Sequence, residues 1–233
     1  MRPRHHLALG ALVLTLTMFQ GCYCGLALDY TETFIVTDPV ERIVITVDDG
    51  TVDAVAYDRD RILFKRHVFA FESILETPSF SVEDGVLDSE GHCKDNDDAC
   101  SFDHLLELPF GVELDVTMDQ AGIDLGYIDG SITATFNSGH FRGNRLAAPQ
   151  LEISATSAEI DADFAAVPES VMIDLDRGDV LLWLPPGGYQ CRLDSTNGEV
   201  TVEGDGIVCD DAATAVLDVH LRAGDIFVTE AVP

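Results

Sequence analysis

Basic residues are scarce in this chain: 13 Lys and Arg stand against 42 Asp and Glu, a formal net charge of -29 over 233 residues. Such a surface repels phosphate backbones and anionic lipid headgroups, which excludes nucleic acid as a partner and leaves cations or basic surfaces as possible ones. Like-charge repulsion also keeps an extracellular β-protein soluble and guards strand edges. There is one Trp. No long segment sustains a 3.6-residue apolar period, so helix is expected to be rare. Nucleophile elbows of the Gly-x-Ser-x-Gly type are missing, and the glycines recur between strands rather than opening a helix, which removes the phosphate-binding loops. Acids are so frequent that individual carboxylate pairs carry no catalytic meaning. No catalytic residue and no cofactor are assigned, and the chain is read as a non-enzyme.

Only the N-terminus carries a continuous apolar run. Arg2, Arg4, His5 and His6 precede Leu7 to Phe19, the layout of a secretory signal, and the run is too short for a permanent membrane helix. The following Phe19-Gln20-Gly21-Cys22 resembles a bacterial lipobox, which implies acylation of Cys22 and a lipid anchor in the membrane. Phe19 and Gln20 depart from the usual residues. The alternative is cleavage after Gly25-Leu26-Ala27, which releases a soluble protein beginning at Leu28. Tyr23 is not the Asp that signals inner-membrane retention in Gram-negative systems, which points to the outer membrane. Removing residues 1–21 takes the net charge from -29 to -31. The expected organisation is a signal peptide over 1–21, a tether over 22–33 and one domain over 34–233, with N-terminal strands and an acidic loop over 34–108 and a repeat array over 109–233.

Six cysteines are present. With Cys22 assigned to lipid, the oxidising compartment favours disulfides among the rest. Cys93 and Cys100 bracket an acidic loop, and Cys191 and Cys209 bracket one strand-turn-strand unit, so they are paired in that order. Each bridge is expected to contribute about 2–4 kcal/mol. Cys24 is left over, either in the tether or pairing between molecules.

The body of the chain alternates. Residues 40–47 and 51–57 flank Asp48-Asp49-Gly50 as a hairpin signal, residues 62–69 continue as strand, and Glu83-Asp84-Gly85 is a further turn. Beyond residue 109 one phrase returns: a small residue, an acidic or polar residue, then an apolar, mostly β-branched one. Its central small residues are Gly122, Gly139, Ala158, Gly178, Gly198 and Gly224, spaced 17, 19, 20, 20 and 26 apart, a period of roughly 20 residues that suits a stacked solenoid. Leu151, Ile153 and Ala155, or Val171, Ile173 and Leu175, alternate with polar residues, so one face is buried and one is wet. Gly suits the tight turns, and Asp179, Glu199 and Asp225 are placed to cap turn amides.

Leu184-Pro185-Pro186-Gly187-Gly188, the alternating strand to Ser195, and Asn197-Gly198-Glu199-Val200 together resemble the repeat of the bacterial putative-adhesin domain family, and Leu108-Pro109-Phe110-Gly111 begins a second such unit. The similarity runs from about Val40 to Val228. It implies an all-β, right-handed β-solenoid in an exported protein, with an adhesin-like interaction or structural role toward an envelope protein or polysaccharide. Ala158 in place of Gly, His140 in place of an acid and the Cys93–Cys100 insertion depart from the pattern. Two other classes compete: a polysaccharide-acting β-helix enzyme, against which the short strands argue, and a calcium-dependent extracellular binder.

Four further features bear on function. His92, Cys93, Cys100 and His104 have the residue types of a zinc site, but export favours the disulfide. Asp95, Asp97 and Asp98 concentrate oxygen ligands without the Gly and Glu of an EF-hand loop; a solvated loop is the simpler reading. His140 and His220 are read as structural or surface residues. Trp183 is assigned to core packing, with a sugar-stacking platform as the alternative if it is exposed.

Overall fold

A computed structural model of the chain describes residues 15–16, 27–71, 75–93 and 100–231. Cys22, Cys24, Asp95, Asp97 and Asp98 lie outside them. The described residues contain strands and no helix. In chain order the strands are β1 (Thr15–Leu16), β2 (Ala27–Val36), β3 (Arg42–Tyr57), β4 (Ile62–Phe71), β5 (Ser79–Glu83) and β6 (Val86–Gly91). They continue with β7 (Ser101–Pro109), β8 (Glu113–Gly126), β9 (Ile132–Leu146), β10 (Gln150–Phe164), β11 (Ser170–Arg177) and β12 (Val180–Leu184). The last are β13 (Gly187–Ser195), β14 (Val200–Glu203), β15 (Ile207–Cys209), β16 (Ala215–Ala223) and β17 (Ile226–Glu230).

Most pairings are parallel. β3 lies beside β8, β8 beside β9 and β9 beside β10, each in register along two arms that meet at a corner. The next layers split at the corner: β11 and β12 pair with the two arms of β10. Inward residues therefore stack in columns. Ile43, Leu114, Ile132, Leu151, Val171 and Leu217 form one on the first arm, and Val52, Ile123, Phe141, Ile160, Val180 and Ile226 form one on the second. All are nearly inaccessible and belong to a single hydrophobic core. Burying each such side chain contributes about 1.5–3 kcal/mol, and the strict period of two fixes the register, because a one-residue slip would expose a whole column.

The stack does not follow the chain at either end. β11 and β12 pair with β16 and β17, and these pair in turn with β13 and β14. The last segment of the sequence is thus an interior layer, and residues 187–203 are the outer one. At the other end β3 sits between β8 on one side and β6 with β7 on the other. The Cys93–Cys100 disulfide joins the end of β6 to the start of β7. Antiparallel strands finish that end: β4 on β7, β2 on β4 and β5 on β6. Between them Phe34 and Phe80 stack at 3.9 Å, and buried Arg66 donates to the Glu32 carboxylate at 2.6 and 2.9 Å and to the Ser79 carbonyl at 2.6 Å. That pairing supplies the hydrogen bonds a guanidinium needs away from water.

Candidate functional site

The corner column runs through Gly50, Ala121, Gly139, Ala158, Gly178, Gly224 and Gly198 in stack order. Ala121, not Gly122, stands across from Gly139; Gly122 stands across from His140. Gly139 and Gly178 have φ of +140° and +131°, and a Cβ on either would sit 1.9 or 1.7 Å from the carbonyl oxygen of Ala121 or Ala158. Ala121 and Ala158 are not among the residues with positive φ. Gly139 and Gly178 take the positive φ that Ala158 between them does not, which accounts for the alanine at 158, whereas Gly178 and Gly224 in adjacent layers both take it.

One residue past the corner, side chains turn outward. Glu159, Asp179, Asp225 and Glu199 occupy successive layers there, about 4.8 Å apart by the spacing of paired strands. The Asp225 N–H donates to the Asp179 carboxylate at 2.9 Å, and the Glu199 N–H donates to the Asp225 carboxylate at 2.8 Å. Asp179 and Asp225 thus cap turn amides, each in the neighbouring layer. With Asp161, Thr201 and Phe227 this column lines an open groove of about 480 Å³.

The same outward sheet carries a second polar run on the β2–β4–β7–β3–β8–β9 side. His67 Nε2 lies 2.8 Å from Asp29 and its Nδ1 lies 3.5 Å from Asp103. Asp103 also accepts from the Thr51 N–H at 3.1 Å and its hydroxyl at 3.0 Å. Hydrogen bonding to Asp29 holds the His67 pKa above its ordinary value against partial burial, with Asp103 adding to the rise. Asp53 is raised first by desolvation, then by the Asp124 and Asp103 charges. His140 Nε2 reaches Asp124 at 3.3 Å. These residues form a charged relay across six strands. His67 links Asp29 on β2 to Asp103 on β7, and Asp103 links on to Thr51 on β3, so the group ties strands together.

Trp183 corrects the sequence expectation. Leu182 and Leu184 enter the core, and Trp183 between them is half-buried on the outward side, lining a groove of about 460 Å³ with Arg142, Asn144, Asp161 and Asp163. The period of two that buries Val180 settles this, and it was available in the sequence. The same parity places His67 outward between Arg66 and Val68.

Cys93 pairs with Cys100 and Cys191 with Cys209. The first bridge dissolves the zinc grouping: His92 faces Asp48 at 3.2 Å, while buried His104 lies 3.4 Å from the Ser89 hydroxyl. Burial pushes the His104 pKa down to about 4, with the nearby Arg66 charge adding to it. Among the described residues no group of three or more His, Cys, Asp or Glu is arranged to hold a metal ion, and no helix is long and apolar enough to cross a membrane. His140 and His220 are both outward-facing, the latter 2.8 Å from Asp218.

No protein-family model and no curated protein matches the chain. Among solved structures it is similar to one described as a putative cell adhesion protein from Clostridium sporogenes, at 12% identity and a TM-score of 0.45, covering 87% of this chain and 99% of that one. A putative adhesin from Parabacteroides distasonis is similar at 10% identity and a TM-score of 0.27, covering 84% and 96%. A putative lipid binding protein from the same organism follows at 8% identity and 0.24, covering 87% and 97%. Likeness at these levels transfers neither fold nor activity.

Proposed function

We propose that this chain is an exported, lipid-anchored, non-enzymatic interaction module of the adhesin-like kind, built as a right-handed β-solenoid and displayed close to its membrane. The parallel layers supply a rigid outward sheet, and recognition falls to its acidic column and to the Trp183 groove. The observation that carries this reading is the arrangement of that sheet: Glu159, Asp179, Asp225 and Glu199 in successive layers beside an outward Trp183, in open grooves suited to broad contact. Trp183 with Asn144, Asp161 and Asp163 favours a polysaccharide partner, because an aromatic face stacks on sugar rings while amides and carboxylates take their hydroxyls.

The anchor rests on Cys22 and its lipobox-like context, and the outer membrane is the proposed location. The test is cross-linking in intact cells followed by mass spectrometry of the captured protein. Diacylglycerol on Cys22 with one reproducible envelope partner supports the module. An unmodified N-terminus at Leu28 removes the anchor, and turnover of an envelope substrate by the purified chain overturns the non-enzymatic reading.

A further inference from the structure

We propose that Asn197 is a site of spontaneous deamidation, left open by the fold at the outermost corner of the stack, and that its product loosens the layer of residues 187–203. The corner amides show why this position is open. The Gly178 N–H donates to the Ala223 carbonyl at 3.0 Å and the Gly224 N–H to the Asn197 carbonyl at 3.1 Å. Each of these glycines thus donates to the residue before the corner glycine of the next layer out. Just past the corner the Val180 N–H donates to the Asp225 carbonyl and the Ile226 N–H to the Glu199 carbonyl, both at 2.9 Å and in the same direction. Gly198 belongs to the last layer, so among the described residues no further layer accepts its N–H.

Packing demands glycine at this corner. A Cβ on Gly198 would sit 1.8 Å from the Gly224 carbonyl oxygen. The residue before the corner is under no such demand, since its counterparts in the layers beneath are Ser138, Ser157, Arg177 and Ala223. In the last layer it is Asn197, which makes the chain's one Asn-Gly pair. Asparagine is chemically labile, and a following glycine has no side chain to hinder attack by its own nitrogen. Both residues are exposed.

The Gly198 nitrogen, on losing its proton, attacks the side-chain carbonyl carbon of Asn197; the succinimide ring closes and the side-chain nitrogen leaves as ammonia. Water then opens the ring. Cleaving the new bond leaves aspartate, and cleaving the original main-chain bond leaves isoaspartate, whose backbone runs through the side-chain methylene. Either product replaces a neutral amide with a carboxylate and removes the bond from Asn197 Nδ2 to the Arg222 carbonyl at 3.0 Å. The added charge lies close in sequence to Glu199, whose N–H is capped by the Asp225 carboxylate at 2.8 Å. Isoaspartate also lengthens the backbone at the corner, which moves the group that the Gly224 N–H binds and draws Glu199 off that cap.

The other described asparagines are held. Asn137 lies inside β9, its Nδ2 donating to Asp119 and its Oδ1 accepting from the Thr156 hydroxyl at 3.4 Å. The N–H that follows Asn144, on Arg145, donates to the Asp163 carboxylate at 3.3 Å. This inference is independent of the anchor and of the Trp183 groove.

The test incubates the purified chain in mildly alkaline buffer, folded and in denaturant side by side, with peptide mass spectrometry at intervals. Asn197 should deamidate in the folded chain within about tenfold of its unfolded rate, whereas folding should slow Asn137 and Asn144 by about a hundredfold or more, because they react only from opened states. Enzymatic methylation of isoaspartate should mark the peptide that contains residue 197. Asn197→Gln, which must close a larger ring, should abolish the reaction over the same period while keeping an amide at the corner. Hydrogen exchange reads the consequence: the Glu199 and Ile226 amides should exchange faster in the aged chain than in the fresh one, and at the same rate in aged and fresh N197Q. Protection of Asn197 as strong as that of Asn137 overturns the site. A deamidated chain whose Glu199 and Ile226 amides exchange no faster than before overturns the loosening.

Discussion

The backbone N–H of Asp225 is held by the Asp179 carboxylate across 46 residues of sequence. That bond places the last strands of the chain against β11 and β12, and Asp225 in turn caps Glu199, so residues 187–203 are displaced to the outside. β3 does the same at the other end by lying between β7 and β8. Both long-range insertions tie sequence-distant segments together. The protein should unfold as one unit rather than fraying layer by layer, as a sequential repeat array can.

Truncation after Asp210 tests this. It deletes β16 and β17, leaving Val171, Val180, Tyr189 and Val200 without the neighbours they pack and pair against. The expected outcome is loss of cooperative unfolding, read by circular dichroism in denaturant. A truncated chain that kept a sharp transition near that of the full chain would show that β13 and β14 can dock directly on β11 and β12.

The corner is equally specific. Gly178→Ala forces a Cβ onto the Ala158 carbonyl at a φ only glycine adopts readily, and the cost should be about 3 kcal/mol or more. Ala158→Gly, on the neighbouring layer, meets neither constraint and should cost about 1 kcal/mol through chain entropy. Equal losses in the denaturation midpoint for the two variants would refute the difference in corner conformation between these two layers.

Which residues face the core was legible within each arm, because Leu151 and Ile153 alternate with polar residues, as do Val171, Ile173 and Leu175; the parity changes at the corner, from Leu151 and Ile153 to Ile160 and Ala162. The two disulfides were legible from how their cysteines bracket short segments. The order of the layers was not. Gly178-Asp179-Val180, Gly198-Glu199-Val200 and Gly224-Asp225-Ile226 are nearly the same phrase, so local pattern cannot say which stacks on which; the connections and end layers decide. Gly122 misled for a related reason: Ala121 and Gly122 are both small, and only the pairing with Gly139 separates them. Trp183, assigned to core packing, lies outward, as the parity of Leu182 and Leu184 already indicated.

Acid should weaken the fold through His104. Its folded pKa, lowered to about 4 by burial, lies below the ordinary value near 6.5. The stability it contributes is present above about pH 6.5 and is lost as pH falls through 4, because the unfolded chain takes up the proton first. The full effect is on the order of 3 kcal/mol. His104→Gln should be less stable at neutral pH but show a flatter decline between about pH 6.5 and 4. A parallel decline in the two proteins, followed by denaturant midpoints, would acquit His104.

The chain's one Trp makes its groove directly observable. Trp183 sits half-buried on the outward face with Asn144 and Asp163 beside it, so its emission should be red-shifted relative to a core Trp and quenched by acrylamide. Titration with a neutral oligosaccharide such as chitotetraose should then shift or protect that emission, as stacking removes water from the ring. Fluorescence that acrylamide cannot reach would return Trp183 to the core and remove the groove from the proposed function.

His67 should fasten the edge strand β2 most firmly in mild acid. Its ring lies 2.8 Å from Asp29 on β2 and 3.5 Å from Asp103 on β7, and the bond to Asp29 raises its pKa. A base whose folded pKa is raised contributes stability that is complete below the unfolded value near 6.5 and disappears as pH rises through the folded one. The imidazolium bridges two carboxylates; the neutral ring can donate to only one. Both partners are substantially exposed, so solvent and salt reduce the effect. Hydrogen exchange of the Thr31 and Thr33 amides, compared between the natural chain and His67→Gln and corrected for intrinsic rates, should show protection lost in the variant at about pH 5.5 and little difference at about pH 8.5. A pH-independent difference would mean that His67 acts on β2 by packing, with Arg66 and Glu32 on the opposite face supplying the ionic fastening instead.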